Sequence, residues 1–543
     1  MRRALLAGCL LGIMVLWFAA LALRPLFNPD EGRYAEIPRE MLATGDWVIP
    51  HLNGLAYIEK PPLQYWATAA AFRVFGESPW AARLYATLCA FASLCVVGWT
   101  ARTLWGSAAA GQAVLLTGSM LLFLGLAHVL TLDMSLSFWM TAGLCAFLLT
   151  QHHARQGHAS KARQAMLAAW TCVALGVLTK GLVAAVIPAA VLILYTVLGR
   201  DASPWRHLQW LPGLGLFLLI VLPWHVLAQR RLPDFFQFYI VREHFARFAT
   251  PVADRQEPWW FFVVVFLLGT MPWSIAGVRA LATGWRDRSE PGFDARTFLK
   301  IWVLFILLFF SLSDSKLIPY ILPAVPALGL LLGAQPPQAG RQDTAHASWL
   351  LVLAGALLGI GAAALPWLLG PDSRAPYFLA LRPAAGVASG LLLASGLLGL
   401  ARRGSMSGVP AALPAAGWVA AVLVLLLGAS VLGPVYSGST LVHGLPAPDR
   451  AAPVFSVRTY DQTLPFYWRR TLTLVEYQGE MDYGLRHDPG LAIGSLEEFK
   501  VRWRQLDRGF AVMEPETLNT LRAQDLPMRI VASDERRVLV ARR

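Results

Sequence analysis

Six short segments carry carboxylates, cations or both in a chain that is otherwise strongly apolar. They cover 28–36, 57–63, 131–135, 179–181, 241–248 and 313–320. Lysine and arginine side chains hold phosphate and diphosphate groups, and a neighbouring carboxylate can take a proton from an attacking hydroxyl. Such groups are suited to displacing a phosphate leaving group from a lipid-borne donor, because the cations stabilise the phosphate as it departs.

The candidate side chains fall into a catalytic group and a phosphate-binding group. The candidate catalytic carboxylates are Asp30, Glu31 and Asp133. The candidate ligands of a lipid phosphate are Arg33, Lys60, Lys180, Arg242, Arg247 and Lys316. Because Asp133 lies between apolar neighbours and has no cation nearby in the chain, we expect it to pair with a distant lysine or arginine.

Each segment also has an ordinary structural interpretation. Asp30 and Glu31 follow a proline, and carboxylates suit the first turn of a helix. Lys180 and Lys316 can extend to the membrane interface, and His244 can be an ordinary interfacial histidine. The functional interpretation therefore depends on the segments lying together on one face of the membrane.

Apolar runs dominate the elements that must position these residues. Of the 543 residues, 56% are hydrophobic and only 15% are charged, and a transmembrane helix needs about 20 predominantly apolar residues. The pattern predicts a polytopic α-helical membrane protein with thirteen spans. They cover about 4–24, 80–101, 108–127, 129–150, 165–179, 182–199, 208–228, 259–281, 298–313, 317–334, 347–370, 378–400 and 412–433.

Loop charge predicts the orientation of these spans. Basic residues such as Arg155, Lys161 and Arg163 gather in alternate loops, which places those loops and the N-terminus in the cytoplasm. The opposite connections are nearly free of positive charge. All six segments then lie on the outer side, where two long loops at about 25–79 and 229–258 favour amphipathic interfacial helices.

The composition changes after residue 433, where charged residues and prolines return. Residues 453–457 and 529–532 are typical of strands. Ser495 and Glu498 have the spacing of a helix-capping box. The pattern predicts a transmembrane catalytic domain at 1–433 and a small α/β domain at 434–543. An odd number of spans places the α/β domain on the outer side.

Several function classes are disfavoured by the same observations. The net charge of +13 is explained by basic residues at the cytoplasmic ends of spans, and no basic stretch is long enough to form a nucleic-acid groove. The five cysteines show no disulfide or zinc-knuckle spacing. A lipid or sugar transporter remains a remote alternative, because transporters place charges near the membrane midplane and often contain inverted repeats.

Four of the segments resemble a known enzyme family. They are Pro29-Asp30-Glu31-Gly32-Arg33-Tyr34, Glu59-Lys60-Pro61-Pro62, the run from Arg242 to Phe248, and Ser315-Lys316 with Pro319-Tyr320. In this order and on a common face they resemble the lipid A 4-amino-4-deoxy-L-arabinose (aminoarabinose) transferases. These are GT-C glycosyltransferases related to the protein O-mannosyltransferases.

The resemblance implies an activity, a location and a set of roles. The donor would be a sugar on undecaprenyl phosphate and the acceptor a lipid A phosphate, at the periplasmic face of the bacterial inner membrane, giving resistance to cationic peptides such as polymyxin. Asp30 would be the catalytic carboxylate. The resemblance assigns Lys60 and Arg247 to the lipid phosphate, Lys316 and Tyr320 to the rim of the donor pocket, and Glu59 and His244 to a divalent metal such as zinc. The first loop lacks an Asp-x-Asp signature, so no metal is expected to be required.

The acceptor decides the role of Asp30. A lipid A phosphate is already ionised near neutral pH, so Asp30 would orient it or hold neighbouring cations. A hydroxyl acceptor, as in protein mannosylation, would need a general base. The sequence leaves both open, and transfer of another polyprenyl-linked sugar to protein or glycan remains the alternative.

Overall fold

A computed structural model describes residues 17–246, 256–285, 292–370, 374–402, 411–443 and 452–542. The first predicted span, 4–24, lies largely outside the described residues. The α-helices before the C-terminal domain are α1 Asp30–Thr44, α2 Leu63–Phe75, α3 Pro79–Trp105, α4 Ser107–Ser119, α5 Leu121–Leu126, α6 Leu132–Arg155, α7 Ala159–Lys180, α8 Val183–Gly199, α9 Trp210–Arg231, α10 Phe261–Gly269, α11 Ser274–Ala282, α12 Ala295–Ser311, α13 Ala324–Gly333, α14 Pro337–Leu368, α15 Ala375–Leu379, α16 Arg382–Ala401, α17 Ala412–Gly428, α18 Gly433–Tyr436 and α19 Ser439–Val442. Short 3₁₀ helices cover Ala20–Ala22, Ser203–His207, Ile318–Ile321 and Ala429–Leu432, and a π-helix covers Phe236–Ala246.

The membrane-spanning part agrees with the predicted helical architecture. Every predicted span from 80 onward overlaps at least one of these helices. Within the described residues, seven helices are long and apolar enough to cross a membrane, or eight if one bent pair forms a single span. The predicted total of thirteen therefore stays a prediction, since helices such as α8 and α12 are shorter.

Two predicted spans are interrupted rather than continuous. The span predicted at 259–281 consists of α10 and α11, which meet at an angle of 117°. Pro272 lies in this break, and a proline cannot donate the backbone hydrogen bond that a continuous helix needs there. The span predicted at 108–127 is divided between α4 and α5, with the extended residue Met120 between them.

The first outer loop is a buried layer, which corrects the expectation of interfacial helices there. Most residues of α1 are buried, including Glu36 and Arg39, which form an ion pair with each other. A short hairpin follows, formed by β1 His51–Leu52 and β2 Leu55–Ala56. This layer lies between the transmembrane helices and the C-terminal domain, because residues of both pack against it.

The C-terminal domain is a six-stranded mixed sheet with helices, as predicted. Its elements are β3 Val454–Val457, α20 Thr463–Trp468, β4 Thr473–Val475, 3₁₀ Gly479–Met481, α21 Asp482–His487, 3₁₀ Pro489–Leu491, β5 Ala492–Ile493, α22 Leu496–Gln505, β6 Phe510–Met513, α23 Pro515–Arg522, β7 Met528–Ser533 and β8 Val538–Arg542. The strand order is β5-β4-β3-β6-β8-β7, with the first four parallel and β8 antiparallel to both neighbours. Both predicted strands are confirmed, and the Ser495 hydroxyl accepts from the Glu498 amide to cap α22.

Both faces of the sheet are buried at its central strand β6, which explains how the domain is held against the first loop. Strand β6 is buried at all four positions. Its Ala511 and Met513 pack with α22 on one face, whereas Phe510 and Val512 join the cluster that contains the hairpin residue Leu55. Strands covered on both faces are expected to be continuously apolar, as β6 is.

Polar contacts fix the register between the domain and the first loop. The Asn53 side chain exchanges two hydrogen bonds with the backbone of Leu472, at 2.8 and 2.7 Å. Gly32 lies so close to Gln462 that a Cβ atom there would approach its carbonyl carbon to 2.5 Å. The close approach brings the C-terminal domain directly onto the first turn of α1, where the candidate carboxylates lie.

Candidate active site

Glu31 is the centre of a buried ion cluster below the outer surface. Its carboxylate accepts two hydrogen bonds each from Arg24 and Arg83, and one each from the backbone amides of Phe27 and Leu130. Burial opposes ionisation of Glu31, but the two guanidinium charges outweigh it and hold its pKa below the ordinary value. These contacts use both oxygens, so the geometry favours a structural role and does not support the predicted catalytic one.

Asp30 faces the opposite way and keeps an accessible carboxylate. It is the first residue of α1, and its side chain is 47% exposed. One of its oxygens lies 3.3 Å from Arg33 Nη1. The other amino group of Arg33 lies 2.6 Å from Glu480 of the C-terminal domain. Asp30 is therefore placed where it can contact a substrate, with a cation beside it.

Lys60 links the first and fourth outer loops. Its ammonium group donates to the backbone carbonyl of Glu59 at 2.9 Å and lies 3.4 Å from the carboxylate of Glu243. The side chains of Lys60 and Glu243 are largely buried. The contact brings the π-helix of the fourth loop against the Glu59-Lys60 motif.

Lys180 pairs with Asp133, which confirms the expectation that Asp133 has a distant cationic partner. Lys180 ends α7, Asp133 lies in the first turn of α6, and their charged atoms are 2.5 Å apart. The Lys180 ammonium also lies 4.9 Å from the ring centroid of Tyr320. Asp133 lies at the N-terminus of α6 and Lys180 at the C-terminus of α7. Both positions are favourable, because carboxylates suit helix N-termini and cations suit C-termini.

Tyr34 and His244 lie beside members of these charged pairs. Burial raises the pKa of the Tyr34 phenol, and the negative charges of Asp30, Glu59 and Asp133 act in the same direction. His244 lies against Gly181, where any side chain would collide with its imidazole. Gly181 also has a φ of +90°, which favours glycine. The fourth loop therefore packs directly beside Lys180.

Among the described residues, two other predicted phosphate ligands, Arg242 and Lys316, make contacts elsewhere. Arg242 is 45% exposed and lies 3.8 Å from Asp482 of the C-terminal domain. Lys316 is buried and donates to the carbonyl of Ser313 at 2.6 Å, within its own turn. Arg247 lies outside the described residues. The cations that the structure does gather are Arg33, Lys60 and Lys180.

Glu59 and His244 gain no third zinc ligand among the described residues. His244 Nδ1 lies 2.6 Å from the carbonyl of Tyr239, and a carbonyl only accepts, so Nδ1 carries the proton and Nε2 is the only ring nitrogen that could bind a metal. In the part of the chain that the structure describes, no three His, Cys, Asp or Glu side chains come together as metal ligands. Zinc sites generally use three or four protein ligands, so Glu59 and His244 alone do not complete one.

Sequence reasoning missed several residues that complete the site. Arg83 lies within the apolar helix α3. A charged residue in such a helix needs a partner of opposite charge, so Arg83 could have predicted a buried carboxylate beside it. Glu243 lies within the candidate segment 241–248, but the sequence did not predict a role for it. Glu480 had no local signal, because it lies 450 positions after Asp30 and only the fold brings them together.

Two family models match the chain. Residues 6–239 match the dolichyl-phosphate-mannose-protein mannosyltransferase family, and residues 445–542 match the aminoarabinose transferase C-terminal domain. The first match contains α1 to α9 and the second contains the whole six-stranded sheet. The family models therefore match part of the predicted transmembrane domain and the predicted C-terminal domain.

Curated relatives are about a third identical to this chain over the residues that align. The undecaprenyl phosphate-alpha-4-amino-4-deoxy-L-arabinose arabinosyl transferase of Aeromonas hydrophila is 35% identical over 327 residues, which is 60% of this chain and 59% of that protein. The enzyme of the same name from Pseudomonas aeruginosa is 34% identical over 373 residues, 67% of this chain and 66% of that protein. These alignments thus cover less than two thirds of either relative.

Solved structures extend the similarity to the full length. ArnT from Cupriavidus metallidurans bound to undecaprenyl phosphate has a TM-score of 0.89 and 31% identity, covering 100% of this chain and 98% of that chain. The archaeal oligosaccharyltransferase AglB from Archaeoglobus fulgidus, at 13% identity and a TM-score of 0.50, shares the fold alone. The end-to-end match at 31% identity and the matching C-terminal domain confirm the predicted resemblance and show that the chain belongs to the ArnT aminoarabinose transferase family.

Proposed function

We propose that this chain transfers 4-amino-4-deoxy-L-arabinose from undecaprenyl phosphate to a phosphate of lipid A. The observation that carries the proposal is the end-to-end similarity to an ArnT structure that holds undecaprenyl phosphate. The curated relatives carry the same donor and sugar in their names. The cations Arg33, Lys60 and Lys180 supply the matching chemistry, since ammonium and guanidinium groups bind phosphate.

The geometry suggests how the donor phosphate is held. Lys60 and Lys180 come from different elements, and each is paired with a carboxylate and largely buried. A phosphate that enters between them replaces part of the negative charge that Glu243 and Asp133 supply. Because water is largely excluded there, the cations stabilise the developing charge of the leaving phosphate more strongly than they would in solution.

The proposed reaction is a single displacement at the anomeric carbon of the sugar. A lipid A phosphate oxygen forms a bond to that carbon while the bond from the carbon to the donor phosphate oxygen breaks. The leaving oxygen keeps the electron pair, and undecaprenyl phosphate is released. No proton transfer is required with an ionised acceptor, so Asp30 orients the substrate rather than acting as a general base.

We place this reaction on the periplasmic face of a bacterial inner membrane. The support is the excess of basic residues in alternate loops, which predicts a cytoplasmic N-terminus. The site residues and the C-terminal domain then share the opposite face. A sugar with an amino group adds positive charge to lipid A, which weakens the binding of cationic peptides such as polymyxin.

A second candidate function is sugar transfer to a protein hydroxyl. The match of residues 6–239 to the dolichyl-phosphate-mannose-protein mannosyltransferases favours it. Asp30 would then serve as the general base, because a hydroxyl must lose its proton as it attacks. The two candidates share the donor phosphate site and differ in the acceptor.

Mass spectrometry of lipid A tests the proposal in cells. The chain is expressed in a strain that makes the donor but lacks its own transferase. We expect wild-type protein to add the mass of aminoarabinose to a lipid A phosphate and Asp30→Asn to add little, since it removes the accessible carboxylate that faces the substrate. Asp507→Asn, at an exposed position of the C-terminal domain, is the control and keeps full modification.

Two outcomes would contradict this account. Unmodified lipid A together with sugar attached to protein would favour the second candidate function. Full lipid A modification by Asp30→Asn would remove Asp30 from the reacting centre.

A further inference from the structure

Glu480 is a C-terminal-domain carboxylate that reaches the active site. It lies in the 3₁₀ turn Gly479–Met481 between β4 and α21, and its side chain is 15% exposed. It lies 2.6 Å from Arg33 Nη2. Gln462 donates to its other oxygen at 2.5 Å, and the hydroxyl of Tyr57 lies 3.5 Å away. Both domains therefore contribute to holding this one carboxylate.

Arg33 is shared unequally between two carboxylates. Its contact with Glu480 is 2.6 Å, whereas its contact with Asp30 is 3.3 Å. The rings of Tyr34 and Tyr57 lie 5.7 and 5.9 Å from the guanidinium carbon. The guanidinium is thus fixed by Glu480 and two aromatic rings, and Asp30 receives only its weaker contact.

Without Glu480, the geometry of α1 would favour a tighter pair within the helix. Asp30 and Arg33 are three positions apart, so they lie on the same face. A guanidinium can bind both oxygens of one carboxylate. Such a pair would occupy the carboxylate that faces the site and withdraw it from the substrate.

We propose that Glu480 is a positioning residue of the transfer reaction, which holds Arg33 partly away from Asp30 and so keeps the Asp30 carboxylate accessible to the substrate. The inference rests on the proposed function. It makes the C-terminal domain part of the catalytic apparatus, although none of its residues need touch the sugar. Burial raises the pKa of Glu480, whereas the charge of Arg33 and the hydrogen bond from Gln462 lower it, which agrees with an ionised form that depends on these two contacts.

Kinetics of the purified full-length protein test this role. We expect Glu480→Gln to lower kcat for transfer by about 10- to 100-fold, the range for losing a hydrogen bond to a charged group. The KM for the donor should change little, because Lys60 and Lys180 are untouched. Glu480→Asp keeps the charge and should recover part of the rate. Arg486→Gln, which removes an exposed ion pair with Asp482 on α21, is the matched control and should keep the wild-type kcat.

A double-mutant cycle separates positioning from folding. If Glu480 acts through Arg33, then Glu480→Gln in an Arg33→Gln background should cause no further loss of kcat. Additive losses, or an unchanged kcat per folded molecule in Glu480→Gln, would overturn the inference. Absence of transfer by the wild-type protein would instead contradict the proposed function, so the two failures are distinguishable.

Discussion

Replacing Glu31 by glutamine is expected to destabilise the protein severely, rather than to inactivate a folded enzyme. The substitution leaves Arg24 and Arg83 without their negative partner, and the Arg83 side chain is only 1% exposed. Breaking a buried ion pair from one side typically costs roughly 3–5 kcal/mol, a large part of the stability of an ordinary domain. We expect a lower midpoint of thermal unfolding in detergent and a smaller yield of monodisperse protein.

A matched control separates this effect from general loss of a glutamate. Glu498→Gln removes an exposed ion pair with Arg502 on α22, and such pairs contribute about 1 kcal/mol or less. Its unfolding midpoint should stay close to the wild-type value. If Glu31→Gln unfolds at the wild-type temperature but transfers no sugar, the catalytic role predicted from the sequence is correct and the structural role is wrong.

The same cluster predicts a direction for the dependence of stability on pH. The pKa of Glu31 is lowered in the folded protein, so its contribution is fully present above the pKa of an unfolded glutamate, about 4.3. It is lost as the pH falls through the lowered value. Lowering the pH to the folded-state pKa of Glu31 should therefore narrow the difference in unfolding midpoint between wild type and Glu31→Gln.

Lys180→Gln is expected to cause the largest loss of turnover in a folded variant. Lys180 is the cation at the end of α7, its side chain is 16% exposed, and it contacts both Asp133 and Tyr320. Removing one donor that stabilises a developing negative charge costs about 10²- to 10³-fold in kcat. Initial rates of transfer at saturating donor and acceptor measure this loss.

The alternative explanation is that Lys180 only neutralises Asp133. Asp133→Asn removes the charge that would then be left unpaired. If neutralisation were the whole role, the double variant with Lys180→Gln would regain most of the activity. We expect the double variant to stay as slow as Lys180→Gln alone, and recovery would assign Lys180 to structure rather than to the leaving phosphate.

The sequence identified the site as a set of segments but did not separate neighbouring roles within it. Asp30 and Glu31 looked equivalent, yet successive residues of a helix point about 100° apart. One therefore faces the site and the other faces Arg83. The Asp133–Lys180 pair was predictable, because a carboxylate with apolar neighbours needs a cation. Arg83 itself, inside an apolar helix, was the clue to the role of Glu31.

Contacts between distant parts of the chain set the limit of sequence-based prediction. The α/β domain and its strands could be recognised from local pattern. The docking of this domain onto the first outer loop could not be predicted. It depends on which face of β6 meets the hairpin and on the close fit of Gln462 against Gly32. The bend between α10 and α11 was likewise hidden within one apolar run, although Pro272 marks it.

The most direct test of the central claim measures both lipid products of one reaction. Purified full-length protein is incubated with undecaprenyl phosphate-linked aminoarabinose and lipid A, and both lipids are quantified by mass spectrometry. The proposed displacement predicts that undecaprenyl phosphate and aminoarabinose-modified lipid A form in equal amounts. Release of undecaprenyl phosphate without modification of lipid A, or sugar on another acceptor only, would contradict it.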